Sequence, residues 1–408
     1  MRRVIRHEKV RVCIVYPADP IGVIPGGIDS FIKGVLRWAP IDLQMSIVGV
    51  TTDPKSRPPN RWISCSNGGR AFEFYPAVEF EKSGRQAIMP LTVRYIAALI
   101  RARKQITADV LEFHRIEPCI AFLRDPRPKT VVMHQNMGVI RSKGSDIRWR
   151  HFPDLYFALE RYILPRVQSV FCVRNDAVED YKKRFPAQSR QFYFTPTWFD
   201  TETFRLLPES ERLSARERVF AEFGFPENSR VFVWVGRMDR QKDPLLLVDA
   251  FHRLYGTTPE ARLLMVGEGV LREQVEKRVA VHGMAGKIVL CGLKPASVIA
   301  GYLQASDVFA LPSAYEGMPI CVLEALGSGL PVVATDVGEV SRVVKSGVNG
   351  HLVTVHDPEH VAEGMANCLN NTERYRGRPS SDAVAEFTPE KVLLPIYENY
   401  RRLARNAR

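Results

Sequence analysis

The sequence predicts an α/β protein built from two doubly wound domains that face each other across a cleft. Short apolar segments alternate with longer amphipathic ones, first before residue 196 and again after residue 230. Buried strands separated by helices are typical of parallel sheets covered on both faces. The 408 residues, 45% hydrophobic and 25% charged, suit two globular domains. Ligands of such sheets bind beyond the carboxyl ends of the strands, so two facing domains would share one cleft.

The composition argues against several other classes of protein. Seven cysteines are scattered along the chain without a Cys-x-x-Cys pair, which disfavours both a disulfide framework and a zinc site. The apolar runs are of strand length and fall short of the ~18 residues of a membrane span. Arg11 and Asp19 interrupt the apolar segment after the basic N-terminus, so we expect no signal peptide and a cytoplasmic location.

The net charge of +12 is concentrated in the first half of the chain. Residues 1–200 hold 32 Lys and Arg against 19 Asp and Glu, whereas the remainder is nearly neutral. Such an excess suits a phosphorylated substrate, an anionic membrane surface or a nucleic acid, as well as a merely solubilising surface. The sequence has neither a zinc finger nor an RNP-type aromatic motif, so we expect no nucleic-acid partner.

The apolar pattern of the first half predicts its elements in order. Strands are predicted at 10–15, 44–50, 71–75, 109–113, 130–133 and 169–173. Helices are predicted at 27–38, 90–104, 154–164 and 176–184, the second from apolar residues at positions 93, 96, 97 and 100.

Residues 195–230 interrupt this alternation. Three prolines and a charged stretch at 209–218 predict a linker with one exposed helix. The alternation then resumes, with strands predicted at 231–235, 262–266, 288–291, 308–311, 331–334 and 350–353, and helices at 243–255, 270–282, 296–304, 319–328, 358–370 and 389–405. The predicted boundaries are 1–196 for the first domain, 197–230 for the linker, 231–385 for the second domain and 386–408 for the last helix.

The most informative stretch is 313–335, where a strand ends, a loop follows and a helix begins near Pro319. The N–H groups of Ile320 and Cys321 would point out of the helix start, where free donors and the helix dipole attract phosphate. Glu316 lies beside that anion site and is better suited to accept hydrogen bonds from hydroxyl groups. Glu324, on the body of the helix, is placed to hold a second polyhydroxylated group.

This block resembles the signature of family-4 retaining glycosyltransferases, in which two glutamates are separated by seven residues. Residues 235–242 are similar to the V-G-R-x-x-x-x-K segment of that family, and 266–269 to its V-G-x-G turn. The P-G-G sequence at 25–27 resembles its N-terminal glycine loop. The resemblance spans most of the chain and implies the GT-B architecture. It implies an acceptor-side N-terminal domain, a nucleotide-sugar-binding C-terminal domain and a last helix that crosses back to the first domain.

The resemblance assigns roles to individual residues. Arg237 and Lys242 match the pair on the donor diphosphate, and two cations there would stabilise the developing charge without a divalent metal. Glu316 matches the residue that holds sugar hydroxyls, and Glu324 the one that holds the ribose. Backbone groups around 292–294 would read the base. The expected donor-binding residues are Gly26, Gly27, Arg237, Lys242, Gly292, Leu293, Gly317, Met318, Ile320, Cys321 and Glu324.

Two histidines follow predicted strands of the first domain. His134 matches a family histidine that meets the transferred sugar, and it joins Glu316, Arg237 and Lys242 as an expected catalytic residue. His114 has the same placement at a strand end but no firm match. Gly267 and Gly269 are expected to serve the turn and helix packing.

Two segments depart from the family pattern. Residues 196–200 read P-T-W-F-D where the family often has P-N-G-V-D, so the hinge or the acceptor side is expected to differ. Residues 337–339 read V-G-E and lack the usual second Gly and Pro, which should change the local turn more than the chemistry.

The sequence therefore predicts a retaining, metal-independent glycosyltransferase without a cofactor. It would transfer a hexose, mannose or glucose by family frequency, from a GDP- or UDP-sugar to a glycan or lipid-linked glycan. A nucleotide-sugar epimerase or a glycan phosphorylase would use similar domains, but the paired glutamates and the Arg–Lys pair disfavour both. A basic membrane-surface or nucleic-acid binding protein is the non-enzymatic alternative.

The basic first half suggests a peripheral contact with an anionic membrane. Residues 136–152 are expected at the mouth of the cleft and interleave cations with aromatic side chains, a pattern that suits a lipid-linked phosphate or an acidic leaflet. The predicted helix at 90–104 adds Arg94, Arg101, Arg103 and Lys104. The expected acceptor or membrane residues are Arg141, Lys143, Arg148 and Arg150.

Overall fold

The computed structural model describes residues 9–22, 27–80, 89–134 and 152–407. The chain divides into two compact units: unit 1 comprises residues 1–196 and 389–408, and unit 2 comprises residues 197–388. Each unit contains a mainly parallel sheet with helices between its strands, which confirms the prediction of two doubly wound α/β domains. Residues 197–230, predicted as a separate linker, belong to unit 2.

Unit 1 contains an eight-stranded sheet. Its strands are β1 (Val10–Val15), β2 (Leu43–Thr51), β3 (Ile63–Asn67), β4 (Arg70–Glu79), β5 (Val110–Phe113), β6 (Lys129–Met133), β7 (Ser169–Cys172) and β8 (Phe192–Phe194). They lie in the order β3-β4-β2-β1-β5-β6-β7-β8, and of these pairs only β3 and β4 are antiparallel. The order reverses direction between β1 and β5, so ligands are expected at the carboxyl ends of these strands.

The sequence analysis missed β3 and β8. β3 reads I-S-C-S-N and lacks a fully buried residue, so hydrophobicity alone does not identify it. A different pattern marks it: Gly68 and Gly69, both with positive φ, form the tight turn that joins β3 to β4. β8 has three residues, too few for a periodic pattern.

The first four helices belong to unit 1. They are α1 (Gly27–Arg37), α2 (Leu91–Ala102), α3 (Pro153–Ile163) and α4 (Asn175–Arg184). Shorter 3-10 segments lie at Arg103–Gln105, Glu117–Phe122, Leu164–Arg166 and Pro186–Gln191. All four helices were predicted to within about two residues, because each presents an apolar face to the sheet.

Unit 2 contains a six-stranded, fully parallel sheet. Its strands are β9 (Arg230–Val235), β10 (Ala261–Val266), β11 (Ile288–Gly292), β12 (Val308–Leu311), β13 (Val332–Thr335) and β14 (Gly350–Val353). Their order, β11-β10-β9-β12-β13-β14, reverses direction between β9 and β12. The carboxyl ends of β9 and β12 therefore form the switch point at which such sheets bind ligands.

Helices cover the sheet of unit 2. They are α5 (Glu209–Phe223), α6 (Pro244–Tyr255), α7 (Arg272–Val281), α8 (Ala296–Ala305), α9 (Ile320–Gly327), α10 (Val340–Val343), α11 (Pro358–Asn370), α12 (Thr372–Tyr375) and α13 (Arg378–Ser381), with a 3-10 segment at Asp382–Val384. The predicted exposed helix is α5, and it buries Ala215, Val219 and Phe220. This burial explains why the predicted linker is part of unit 2.

The last helix, α14 (Pro389–Ala407), returns to unit 1. The hydroxyl of Tyr397 donates to the carbonyl oxygen of Val35 at 3.0 Å, and Ser169 Oγ donates to Asn399 Oδ1 at 2.7 Å. Buried residues recur along one face of α14, and charged residues occupy the other.

Two glycines fix the loop that follows β9. Gly267 has a φ of +140°, and a Cβ on it would lie 1.8 Å from the carbonyl oxygen of Gly236. The N–H of Gly236 donates to Val266 O at 3.0 Å, and a Cβ on Gly269 would lie 2.4 Å from Met238 O. The expectation that these two glycines serve backbone packing agrees with this geometry.

We predict that Gly267→Ala lowers the free energy of unfolding by roughly 2–3 kcal/mol, because the methyl group meets backbone that cannot move and the φ disfavours alanine. Gly301→Ala is the matched control. Gly301 lies within α8 and nothing lies within 4 Å of its Cβ position, so alanine should stabilise the helix by roughly 0.5–1 kcal/mol. Urea unfolding measures both, and equal effects of the two variants would contradict the prediction.

Candidate active site

The switch point of unit 2 brings the predicted donor-site residues together. β9 and β12 are adjacent and parallel, so the loops that follow them leave the same edge of the sheet. The first loop carries Arg237 and Lys242, and the second carries Glu316. Lys242 Nζ lies 2.7 Å from Glu316 Oε1, which pairs residues 74 positions apart in the sequence.

Glu316 is the centre of this arrangement. Its side chain is 5% exposed, and it accepts hydrogen bonds from Ser313 Oγ at 2.7 Å and from Gln241 Nε2 at 3.3 Å. Lys242 is also largely buried. Burial alone would lower the pKa of Lys242, but the charge and the hydrogen bond of Glu316 beside it leave this pKa raised, so Lys242 is a cation.

Arg237 lies at the exposed rim of the site, with 57% of its side chain accessible. Its guanidinium contacts Asp239 Oδ2 at 2.9 Å and Gln241 Oε1 at 3.2 Å. Gln241 therefore connects the rim cation to Glu316. The sequence analysis missed both Gln241 and Ser313; their only signal was their position inside the two motifs.

The predicted anion site lies at the start of α9. The first intrahelical bonds run from the N–H groups of Val322 and Leu323 to the carbonyl oxygen of Pro319. By helix geometry, the N–H groups of Ile320 and Cys321 remain at the open end. Burial raises the pKa of the Cys321 thiol to about 12, so its side chain is neutral and is not a nucleophile.

The turn at 337–339 supports the glutamate loop from behind. Gly338 has a φ of +61°, and a Cβ on it would lie 2.3 Å from the carbonyl oxygen of Glu316. The N–H of Glu339 donates to the carbonyl oxygen of Gly317 at 2.8 Å. Gly338, the glycine that this chain has in the turn, thus occupies the position at which the close backbone contact excludes a side chain. Met318 follows Gly317 and is half-buried.

Glu324 is the fifth residue of α9. Burial, and then the nearby charge of Asp200, raise the pKa of its carboxyl group to about 7. Asp200 ends the segment that departs from the family pattern, and Phe199 of that segment packs on α9, where a Cβ on Gly327 would lie 2.3 Å from its ring. The departure therefore fits a local packing contact.

The proposed base-reading segment lies at the end of β11. Gly292 has a φ of +69°, and its carbonyl oxygen accepts a hydrogen bond from the N–H of Gly267 at 2.9 Å. Leu293 is exposed. This segment is therefore joined through Gly267 to the loop that carries Arg237.

His134 and His114 lie at the carboxyl ends of β6 and β5 in unit 1. Their rings are in contact, with His114 Nδ1 2.9 Å from His134 Nε2. Burial holds the pKa of His134 well below its usual range, so its imidazole is neutral at pH 7. His114, which had no firm family match, is therefore part of the same cluster as His134. Gly27 is the first residue of α1, and Gly26 lies outside the described residues.

The predicted acceptor or membrane residues Arg141, Lys143, Arg148 and Arg150 lie outside the described residues. α2 and the turn after it carry the remaining basic group. Arg101, Arg103 and Lys104 are exposed there, and so are the apolar side chains of Val93 and Ile100. Membrane contact stays a prediction.

Neither a metal-binding cluster nor a membrane-spanning helix is found in the described part of the chain. No three His, Cys, Asp or Glu side chains cluster there in a way that could hold a metal ion. Among the helices described, none combines the length and the hydropathy that a bilayer span requires. Metal independence remains a prediction.

We predict that Glu324 makes stability depend on pH. Because the pKa of Glu324 is raised to about 7 in the native state from 4.5, the native state retains a proton that the unfolded chain releases. Its stabilising contribution is present at low pH and is lost as the pH rises from about 4.5 to about 7. Glu324→Gln cannot ionise, so its stability relative to the wild type should increase by roughly 2 kcal/mol between pH 5 and pH 8.

Urea unfolding of the wild type and of Glu324→Gln at both pH values measures this difference. Glu373→Gln, a change at an exposed position, is the control and should follow the wild type. A stability difference between Glu324→Gln and the wild type that is the same at both pH values would contradict the prediction.

Part of the chain is similar to known glycosyltransferases. Residues 215–381 match the family described as glycosyl transferases group 1. The chain is 28% identical over 238 residues to the D-inositol 3-phosphate glycosyltransferase of Corynebacterium urealyticum, covering 56% of this chain and 54% of that protein. It is 28% identical over 206 residues to the UDP-Gal:alpha-D-GlcNAc-diphosphoundecaprenol alpha-1,3-galactosyltransferase of Escherichia coli, covering 50% and 51% of the two chains. The chain thus spans about half the length of the curated relatives it matches.

Solved structures show the same fold over nearly the whole chain. Sucrose-phosphate synthase from Thermosynechococcus elongatus aligns with a TM-score of 0.78 at 19% identity, covering 98% of this chain and 100% of that one. An Anabaena protein in complex with UDP-glucose aligns with a TM-score of 0.72 at 16% identity, covering 96% and 99%. The resemblance seen in the sequence motifs is confirmed: residues 215–381 match the glycosyl transferases group 1 family, and the chain has the GT-B fold.

Proposed function

We propose that the protein is a retaining hexosyltransferase that uses a nucleoside diphosphate sugar, GDP- or UDP-linked, with mannose or glucose as the transferred sugar. The acceptor is a hydroxyl group on a glycan or on a lipid-linked glycan. The observation that carries this proposal is the contact of Lys242 with Glu316 at the switch point of unit 2, beside the open end of α9.

Three sources of positive potential converge at that point. Lys242 is a largely buried cation, Arg237 is an exposed cation on the rim, and the start of α9 adds free N–H groups. A diphosphate leaving group gains negative charge as its bond to the sugar breaks. Cations and donors fixed in advance stabilise that charge more in the transition state than in the bound donor.

The two glutamates divide the hydroxyl groups of the donor between them. Glu316 lies against Lys242 and faces the part of the donor next to the diphosphate, so we assign it to sugar hydroxyls. Glu324 lies further along α9 and is assigned to the ribose. With a pKa of about 7, Glu324 can accept or donate a hydrogen bond near neutral pH, which suits a diol.

We propose a same-face substitution because both glutamates are occupied in binding hydroxyl groups. The bond between the anomeric carbon and the diphosphate oxygen breaks while the acceptor oxygen bonds to that carbon on the same face. The acceptor proton passes to the departing phosphate oxygen, so the protein need not supply a nucleophile. Its contribution is to orient the donor and to stabilise the diphosphate.

The relatives support the substrate classes. The name of the Escherichia coli relative specifies a sugar acceptor on a diphosphoundecaprenol lipid, and the Anabaena structure contains UDP-glucose. A lipid-linked acceptor would also agree with the excess of basic residues in the first 200 positions.

We predict that Arg237→Ala and Lys242→Gln each lower kcat by ~10²–10³-fold, because each removes one charge that stabilises the leaving diphosphate. Lys242→Gln is chosen over alanine because its amide can still donate a hydrogen bond to Glu316, although it does not replace the charge of Lys242. Arg237 is exposed, so its removal should leave stability nearly unchanged.

Arg240→Ala is the matched control, since Arg240 is an exposed arginine of the same loop and should not alter turnover. The assay measures release of nucleoside diphosphate from a panel of GDP- and UDP-hexoses in the presence of glycan acceptors. Wild-type kinetics in both Arg237→Ala and Lys242→Gln would show that the two cations do not contribute to turnover. Absence of turnover with every donor would overturn the proposed function.

A further inference from the structure

A row of hydrogen-bonded side chains crosses the interior of unit 1 and ends on His134. The hydroxyl of Tyr400 donates to Glu112 Oε2, and Glu112 Oε1 lies 2.8 Å from His114 Nε2. His114 Nδ1 in turn lies 2.9 Å from His134 Nε2. Glu112 is fully buried and His114 is 2% exposed, so water does not compete for these bonds. We call Glu112, His114 and His134 the histidine relay.

The ring of Phe31 holds the two imidazoles of the relay in place. Its centroid lies 5.8 Å from that of His114 and 5.2 Å from that of His134, in both cases edge to face. The two imidazoles are stacked with an interplanar angle of 21°. Packing on several sides restricts a ring flip, which would exchange the two nitrogens of either histidine.

With Glu112 as a carboxylate and His114 as a neutral ring, the relay fixes which nitrogen of each imidazole carries the proton. The carboxylate of Glu112 can only accept, so His114 Nε2 carries a proton. In a neutral His114 ring, Nδ1 is then bare and accepts a hydrogen bond from His134 Nε2–H. Since His134 is neutral at pH 7, its remaining nitrogen, Nδ1, is left as an acceptor.

We propose that Glu112 and His114 are positioning residues that hold His134 as its Nε2–H tautomer, so that His134 Nδ1 accepts a hydrogen bond from a sugar hydroxyl group. The chemistry that His134 recognises is therefore a donor O–H, and not a phosphate or a carboxylate, which offer only acceptors at neutral pH. Within the described ranges, the only hydrogen-bond contact of the His134 ring is the one between its Nε2 and His114 Nδ1.

This inference deepens the proposed function and rests on it for the identity of the ligand, but the tautomer itself can be tested without any turnover. Because Nδ1 of His134 already lacks a proton in this tautomer, the imidazole need not reorient when the sugar binds. The residue types alone do not predict the histidine relay, because the pairing of β5 with β6 is what brings Glu112 and His114 to His134.

The direct test is nitrogen NMR of the full-length chain with labelled histidine, in which the two ring nitrogens report whether each is protonated. In the wild type, His134 should be a single Nε2–H tautomer. His114→Phe removes the acceptor but keeps an aromatic ring, and Glu112→Gln replaces the obligate acceptor by an amide that also donates. In each variant the Nδ1–H tautomer of His134 should become populated.

Tyr400→Phe is the matched control, because it removes a hydrogen bond to Glu112 but leaves the carboxylate, and it should keep the wild-type tautomer. The proposal would be overturned if His134 of the wild type were the Nδ1–H form. That form would result if both ring nitrogens of His114 carried protons. The proposal would also be overturned if both His114→Phe and Glu112→Gln kept the wild-type tautomer.

Kinetics separate this proposal from the proposed function. His114→Phe should lower kcat by ~10–100-fold, because the sugar is less well held. It should leave the affinity for nucleoside diphosphate unchanged, since no residue assigned to the diphosphate belongs to the relay. If the wild type turns over no nucleotide sugar but shows the single Nε2–H tautomer, the proposed function fails and the relay stands. If turnover is normal but His114→Phe changes neither kcat nor the tautomer, the relay fails and the proposed function stands.

Discussion

The contact between Lys242 and Glu316 is the interaction on which the donor site depends. Both side chains are largely removed from water, with 13% and 5% of their surfaces exposed. A buried ion pair contributes little net stability, because desolvation offsets most of the attraction. Ser313 and Gln241 donate two further hydrogen bonds to the carboxylate, which offset part of the cost of burying it. We therefore propose that this pair keeps a cation and an acceptor in place for a ligand, and that it does not serve mainly to stabilise the fold.

The fold places the pair through backbone contacts that admit few substitutions. Gly267 and Gly338 each lie so close to another backbone segment that a Cβ would clash, and each adopts a positive φ. The first holds the loop with Lys242 against the end of β10, and the second holds the loop with Glu316 against the turn after β13. The position of the pair is thus fixed by the sheet and not by the side chains themselves.

Much of the fold and part of the site could be predicted from the sequence. The parallel strands are apolar and of regular length, so their hydrophobicity identified all six in unit 2. β3 was missed because its side chains are polar, although the Gly68–Gly69 turn marked it. Arg237, Lys242 and Glu316 were identifiable as motif residues, whereas Gln241 and Glu112 depend on pairing between distant segments that no local pattern encodes.

We propose that Lys242 binds the diphosphate when the donor is present and is held by Glu316 when it is not. The most direct measurement is calorimetric titration of UDP and of GDP into the wild type and into Glu316→Gln. Glu316→Gln removes the negative charge that competes with the diphosphate for Lys242. We therefore predict that this variant binds the preferred nucleoside diphosphate at least as tightly as the wild type, although it loses turnover. Binding weakened by tenfold or more, about 1.4 kcal/mol, would contradict this prediction, because Glu316 would then support the diphosphate and not compete with it.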